Sequence, residues 1–498
     1  MSTAATAVPE EETAPTTFVS DRLADFSDKL SPMLVKELRQ GLRAKTFVIV
    51  FLTLQVLLGL VLLSSLGAAD SPQDAGHNIS SIIFMFFGIA ALVIQPVRGI
   101  GALHREVQGQ TIELMVLTRL SAWKIVLGKW ISIVAQTGLL LAAVAPYLIL
   151  RYWFGDMNLF GELMLLLLVF ILSAAATGII VGISCVPSVI LRGLLPLLVA
   201  AWGLFVIPML SFDGEFDDLV NACAMQSSGA RWAIFSVVMA AAYLAWTALG
   251  LGASLIAPAA ENHSTQKRAV ALALFALAIG ISLITDPSVY YLITIAFIVG
   301  IPAIIMALTE PVNLMPPLYK PFVKKGALGM MAGRLLYPGW PSGVLFSTVI
   351  ALLAFVLIVF CGDRNLATDE STIPFAIFGS LLLPAAILSF LDKKVRNRFT
   401  VFLLLMVIQF VLTMVLSYVG FAMDRDARGF LWFFSWIPMV TLPMSDLSPS
   451  INPGSVLYAA IACCAVYGLI LLIQASLRFR AIRELEIECR QELSNSES

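Results

Sequence analysis

The sequence predicts an all-α polytopic transmembrane protein with about twelve spans and both termini in the cytoplasm. Three observations lead there. Of the 498 residues, 59% are hydrophobic and only 13% are charged, whereas a soluble protein carries about a quarter charged residues. The apolar residues fall in uninterrupted runs of roughly 18–25, the length that crosses a bilayer core. The cations gather on alternate connections between those runs. The net charge of −1 hides this asymmetry and says nothing about partners.

Residues 1–30 open with Thr, Ala, Pro and Glu, have little to bury and read as a disordered cytoplasmic tail. The first apolar run starts only near residue 46, so no secretory leader is expected. Just before it, S-P-M-L-V-K-E-L-R-Q-G-L-R-A-K over 31–45 reads as a short amphipathic helix. Ser31 suits its cap and Pro32 its first turn. Leu34, Leu38 and Leu42 form an apolar stripe, and Lys36, Arg39 and Arg43 a basic one, with Glu37 on the same helix. Such a helix can lie in the headgroup layer, meet a protein, or serve as an ordinary cationic anchor.

The apolar runs are 46–66, 79–97, 125–150, 163–186, 194–210, 232–256, 269–284, 289–308, 343–360, 373–391, 399–419 and 456–473. With the N-terminus inside, roughly five cations in six fall on inside segments, the expected bias. The acidic loops F-D-G-E-F-D-D and D-R-N-L-A-T-D-E then lie outside. So does the segment 424–455, whose Phe430, Trp432, Phe433, Phe434 and Trp436 suit the membrane interface. Inside, the Pro-rich stretch 310–341 cannot be one long helix and marks a seam between two sets of spans, although 261–268 would serve equally. Residues 478–498 read as a cytoplasmic tail.

The longest inside connection, 98–130, sits between the second and third runs. It holds Arg98, Arg105, Arg119, Lys124 and Lys129 with the carboxylates Glu106 and Glu113. A connection of about thirty residues with its own helical pattern is expected to contact something in the aqueous phase.

Several chemistries are missing. The six cysteines are scattered without a CxxC pair, and Cys223 sits alone in a loop, so neither disulfides nor a zinc site is expected. His77, His104 and His263 lie in loops on different sides. No HExxH or GxSxG occurs, and Gly128-Lys129 lacks the upstream Gly of a phosphate-cradling loop and runs into Trp130. Ionisable residues are nearly absent from the runs, which hold neutral groups such as Gln55, Gln95, Gln136 and Gln409. That argues against an ion-driven secondary transporter. Gly420 to Arg428 looks like a loop motif of the major facilitator superfamily, but lacks its second Gly and lies on the wrong side.

The helix over 31–45 followed by a span resembles the cytoplasmic N-terminal helix of type-2 ABC exporter permeases. H-R-E-V-Q-G-Q-T-I-E-L-M-V-L-T-R-L-S-A-W-K-I-V-L-G-K is similar to that family's coupling segment. Glu106, Thr111, Glu113, Leu114, Leu117, Thr118, Leu120, Ser121, Gly128 and Lys129 match its pattern. Gln110 replaces the usual Gly and Arg119 the usual Pro. The resemblance covers 31–260, a permease membrane domain with its coupling loop at 98–130. Residues 261–477 form a second membrane region, similar to the extension of some bacterial members.

The resemblance implies a transport subunit in a bacterial inner membrane, with no catalytic residue, metal or cofactor of its own. ATP and Mg are then held by a separate cytoplasmic ABC ATPase. The lipid bilayer is the other partner, a homodimer or second permease is expected, and nucleic acid is not. Coupling would fall to Glu106, Thr111, Glu113, Leu117, Thr118, Leu120, Ser121 and Lys129, and to the helix carrying Lys36, Glu37, Arg39 and Arg43. Residues 111–120 can form a short helix with Glu113 at its favourable end. Ser121 can cap the next helix, which runs through Lys124 and Lys129 into the third span. The alternative is a twelve-span secondary transporter driven by an ion gradient. An assembly factor or membrane enzyme is a third class, without a catalytic constellation to support the enzyme.

Overall fold

The computed structural model describes residues 32–497 apart from 69–71, 105–120, 153–157, 213–214, 259–260, 286–287, 362–367, 392–394, 396, 423–424 and 448–452. The expected N-terminal tail and the cap Ser31 lie outside these. Among the described residues the chain is helical, with no strand. A backbone in lipid must satisfy its polar groups internally, and a helix does so within one segment.

The first half opens with α1 (Pro32–Leu42) and α2 (Lys45–Ala68). Helix α3 (Pro72–Gly88) passes through a π-helical turn (Ile89–Ile94) into α4 (Gln95–Val97). Then come α5 (Ala122–Tyr152), α6 (Leu159–Ile183), a second π-helical turn (Ile190–Leu194) leading into α7 (Leu195–Phe212), α8 (Glu215–Cys223) and α9 (Ser228–Ile256). The second half holds α10 (Ser264–Thr285), α11 (Val289–Thr309), α12 (Pro316–Val323), α13 (Gly326–Leu336), α14 (Trp340–Cys361), α15 (Thr368–Phe390) and α16 (Arg398–Ala422). Two 3-10 turns (Arg425–Phe434 and Pro438–Val440), α17 (Thr441–Leu447) and α18 (Pro453–Glu497) complete it.

Twelve helical stretches among the described residues are long and apolar enough to cross a membrane, and each overlaps one expected run. This is an all-α, multi-pass membrane fold. One core gathers Leu54, Leu58, Phe87, Leu140 and Leu166 from α2, α3, α5 and α6. A larger one gathers Phe275, Leu292, Phe346, Leu357, Leu388 and Phe402 from α10, α11, α14, α15 and α16. Tyr243 of α9 is buried in the larger core and donates to the Val299 carbonyl at 3.1 Å, so α9 joins the halves. Both halves hold crossings that only glycine permits. A Cβ on Gly182 would stand 2.0 Å from the Ala248 carbonyl oxygen, and one on Gly343 would stand 1.9 Å from that of Ala307. Small residues let apolar helices approach closely enough for dispersion contacts to hold them.

Helix α5 begins at Ala122 and buries Ile125 and Val126 completely. Two local readings change. Cys223 is not in a loop. It ends α8 and is buried with Phe216 and Val220, and the Phe216 ring lies 5.2 Å from that of Phe84. Residues 478–497, read as a tail, continue the last span without a break, giving a helix of 45 residues.

The Pro-rich stretch forms two short helices: Pro316 opens α12, Lys324 and Lys325 separate it from α13, which opens at a positive-φ Gly326, and Pro338 follows α13. The aromatic segment after α16 folds into a cap. Leu431, Ile437, Val440 and Met444 are buried against Leu416 and Val456, and Phe433 and Trp436 stay exposed.

Candidate functional site

The two sequence features singled out for coupling meet in space. Helix α1 lies across the start of α5. Glu37 Oε1 faces Lys129 Nζ at 3.4 Å, and both side chains are largely buried. The Ser132 hydroxyl donates to the Glu37 carbonyl at 2.9 Å. Leu34, Leu38 and Leu42 are half-buried beneath the helix, and Lys36, Arg39 and Arg43 occupy its exposed face. The amphipathic pattern is thus spent on the protein's own third span, leaving the basic stripe outward.

The connection leaves the second span through a set of tight turns. Gly99 N donates to the Pro96 carbonyl at 2.8 Å and Ala102 N to that of Gly99 at 3.0 Å. Leu103 N then donates to Ser184 Oγ at 3.3 Å, with the Leu103 side chain fully buried. Arg98 donates to Gln95 Oε1 at 2.6 Å and stands 5.8 Å from the Phe47 ring centre, tying this exit to the start of α2. Burial lowers the Arg98 pKa from its ordinary value. Burial also lowers that of His104, with Arg192 adding to the effect, so the neutral imidazole is favoured.

At the far end of the connection the Ser121 carbonyl accepts from Lys124 N at 3.0 Å and Ile125 N at 3.3 Å, opening α5. Lys129 therefore sits two turns into a helix that is continuous with the third span. Glu106, Thr111, Glu113, Leu117, Thr118 and Leu120 lie outside the described residues. The described part is a docked helix, an anchored exit and a rigid re-entry on either side of them. No group of His, Cys, Asp and Glu among the described residues is placed to hold a metal ion.

Sequence reasoning missed buried ionisable groups in the spans. Arg151 at the end of α5 and Glu162 at the start of α6 approach to 3.8 Å, each about 4% exposed. Ser80 of α3 links them, accepting from Arg151 Nε at 2.8 Å and donating to Glu162 Oε2 at 3.0 Å. At the start of α10, Arg268 is 2% exposed and pairs with Glu310 after α11. The expectation of nearly uncharged spans is corrected, because the helices run past the apolar windows and carry these residues into the packed interior. The signal available was weak: opposite charges flanking the short turn R-Y-W-F-G-D-M-N, and a Lys-Arg pair one residue short of a run.

Fold and geometry define an all-α, multi-pass helical membrane protein. Comparison with family models, with characterised proteins and with solved structures finds no match to this chain.

Proposed function

We propose that the chain is the permease subunit of a type-2 ABC exporter in a bacterial inner membrane, working with a separate cytoplasmic ATPase that holds ATP and Mg. The observation that carries this reading is α1 seated on α5 through Glu37, Lys129 and Ser132. It gathers the exposed cations of α1 and the root of the connection bearing Glu106 and Glu113 into one surface. A partner that pushes on this surface pushes on a helix continuous with the third span. The excess of cations on that side supports a cytoplasmic orientation for it and for both termini.

The test is isolation of the native chain in gentle detergent with mass spectrometry of what accompanies it, repeated with Glu113→Lys. A Walker-containing ATPase that accompanies the native chain and is lost with the variant supports both class and docking site. An ATPase retained by the variant moves the docking site elsewhere. No ATPase in either sample defeats the reading. A secondary transporter is the second reading, favoured by the ion pairs Arg151–Glu162 and Arg268–Glu310 within the helix bundle. Uptake driven by a proton gradient without ATP selects it.

A further inference from the structure

The second span does not leave the bundle as a plain α-helix. Between α3 and α4 it widens into the π-helical turn Ile89–Ile94, and Gln95 N donates to the Ala90 carbonyl five residues back. The next donor in that series would serve the Ala91 carbonyl, but it falls on Pro96, which has no N–H. A neighbouring helix fills the gap. The fully buried Ser173 hydroxyl of α6 donates to the Ala91 carbonyl at 2.5 Å. Single π-turns inside α-helices are frequent at functional sites.

In the α-helical form of the same turn the bonds run four residues back. Gln95 N then serves the Ala91 carbonyl itself, and Ser173 loses its acceptor. The Leu92 carbonyl becomes the one that Pro96 cannot serve. The proline costs both forms the same one bond, and the Ser173 hydroxyl decides for the π form. What stands beside the turn suits the other form. The second span and α6 run side by side in the same direction: Ala91 is bonded to Ser173, and a Cβ on Gly99 would stand 3.0 Å from Val181 Cγ2. Gln95 and Thr177 fall midway between these two contacts, at one level. Both are completely buried, yet Gln95 Nε2 and the Thr177 hydroxyl make no hydrogen bond among the described residues. Polar groups buried in this way are costly where they stand.

We propose that this turn is a two-state hinge in the second span. In the state described, Ser173 holds the π-turn open. In the other the turn closes to α-helix, Gln95 N takes the Ala91 carbonyl, and the Gln95 amide reaches the Thr177 hydroxyl. Closing turns the residues after the hinge by up to about 100° against those before it, one residue's share of a helical turn. Those residues are the exit that leads into the connection after the second span, so the hinge sets how that connection leaves the bundle. The hinge rests on helix geometry and is independent of the permease reading; it would serve a secondary transporter equally.

The test is double electron–electron resonance on the full chain with its native cysteines replaced and spin labels on Ile100→Cys, past the hinge, and Lys325→Cys, on the exposed start of α13. Ser173→Ala, which removes the bond that holds the π form, should add a second, discrete distance about 5 Å or more from the first. Adding Thr177→Val should cut the population at that distance about fivefold, the worth of one hydrogen bond. Ser173→Ala with only the original distance, or with one merely broadened distance as loosened packing would give, overturns the proposal. So does a second population that Thr177→Val leaves unchanged. Pro96→Ala covers the case in which Ser173→Ala does not fold. It returns an N–H to the carbonyl that lacks one and removes the need for Ser173, so the second distance should appear, and the original distance alone overturns the proposal.

Discussion

At one end of the chain α1 rests on α5 across a polar seam. At the other, α12, α13 and the end of α18 enclose an apolar cluster of their own. Both lie on one face of the helix bundle. The Trp123 ring beside the first seam and the Lys267 stem both lie over Gly250, and Arg268 next to it bonds the Tyr337 carbonyl of the second cluster. In the second cluster Tyr319, Tyr337, Ile482 and Cys489 are essentially inaccessible, and the bidentate Arg334–Glu486 pair, at 2.8 Å on its shorter side, borders it. In the first, the Leu stripe of α1 is only half-buried, and Glu37 accepts from Lys129 and Ser132 of α5. Apolar burial makes the second assembly a fixed brace. Half-buried packing and polar contacts make the first the cheaper of the two to rearrange, as the proposed coupling role would require.

The largest expected effect is at the brace. Tyr337→Ala removes a ring packed 4.5 Å from that of Tyr319 and 5.2 Å from that of Phe322, at a cost on the order of 3–5 kcal/mol. Hydrogen exchange should accelerate across 478–497 and leave α1 unchanged. Equal acceleration in α1 would mean that the two assemblies are one unit and would break the comparison.

Glu37→Ala comes next. It deprives the largely buried Lys129 of this carboxylate, at a cost of about 1–3 kcal/mol. Exchange should rise in α1 and stay constant across 478–497. An unchanged α1 would show that its Leu stripe, and not the polar seam, holds it.

Alkaline pH sharpens the contrast. Burial, with Glu486 and Cys489 adding to it, pushes the Tyr319 phenol up to about 12, and burial with Glu486 raises Tyr337 as well. An unfolded tyrosine loses its proton near pH 10. Above that pH the unfolded state binds fewer protons than the folded one, so stability is full below about pH 10 and falls as pH rises toward 12. The brace should loosen in that window before the seam does. Tyr319→Phe, which removes the hydroxyl that bonds the Asn313 carbonyl at 3.1 Å, should blunt the loss. An identical alkaline profile in wild type and variant would remove Tyr319 from the account.

The smallest effect is expected at Lys320. Its pair with Glu492 measures 2.8 Å but is well exposed on both sides, and such pairs contribute little. Lys320→Ala should exchange across 478–497 as the wild type does. A clear acceleration would mean that charge as well as packing holds the brace.

The twelve spans are legible because a bilayer demands runs of apolar residues, and the polar connection after the second span is legible from its charges, up to the start of α5 at Ala122. The pairings are not. Glu37 and Lys129 each stand out locally, but they are 92 positions apart, and nothing in either segment names the other. Arg268 and Glu310 read as loop charges, because a hydropathy window stops at the first charged residue even when the helix does not. Lys267 and Arg268 occupy the first turn of α10 for that reason. Cys223 was lost to the same rule in reverse. The acidic run around it suppresses hydropathy, while Phe216, Val220 and Cys223 still place an apolar stripe on one side of α8.

Helix α18 is 45 residues long, about 67 Å end to end, whereas the hydrocarbon it crosses is about 30 Å thick. About half of it therefore projects as a lever arm. A tilt of about 10° in the membrane would carry its far end by about 6 Å, roughly one helical turn. That end is clamped to α12 and α13, and only Tyr337, Pro338 and Gly339 separate α13 from α14. The leverage of the last span is thus delivered to the ninth, and an angle in one part of the bundle becomes a displacement in another.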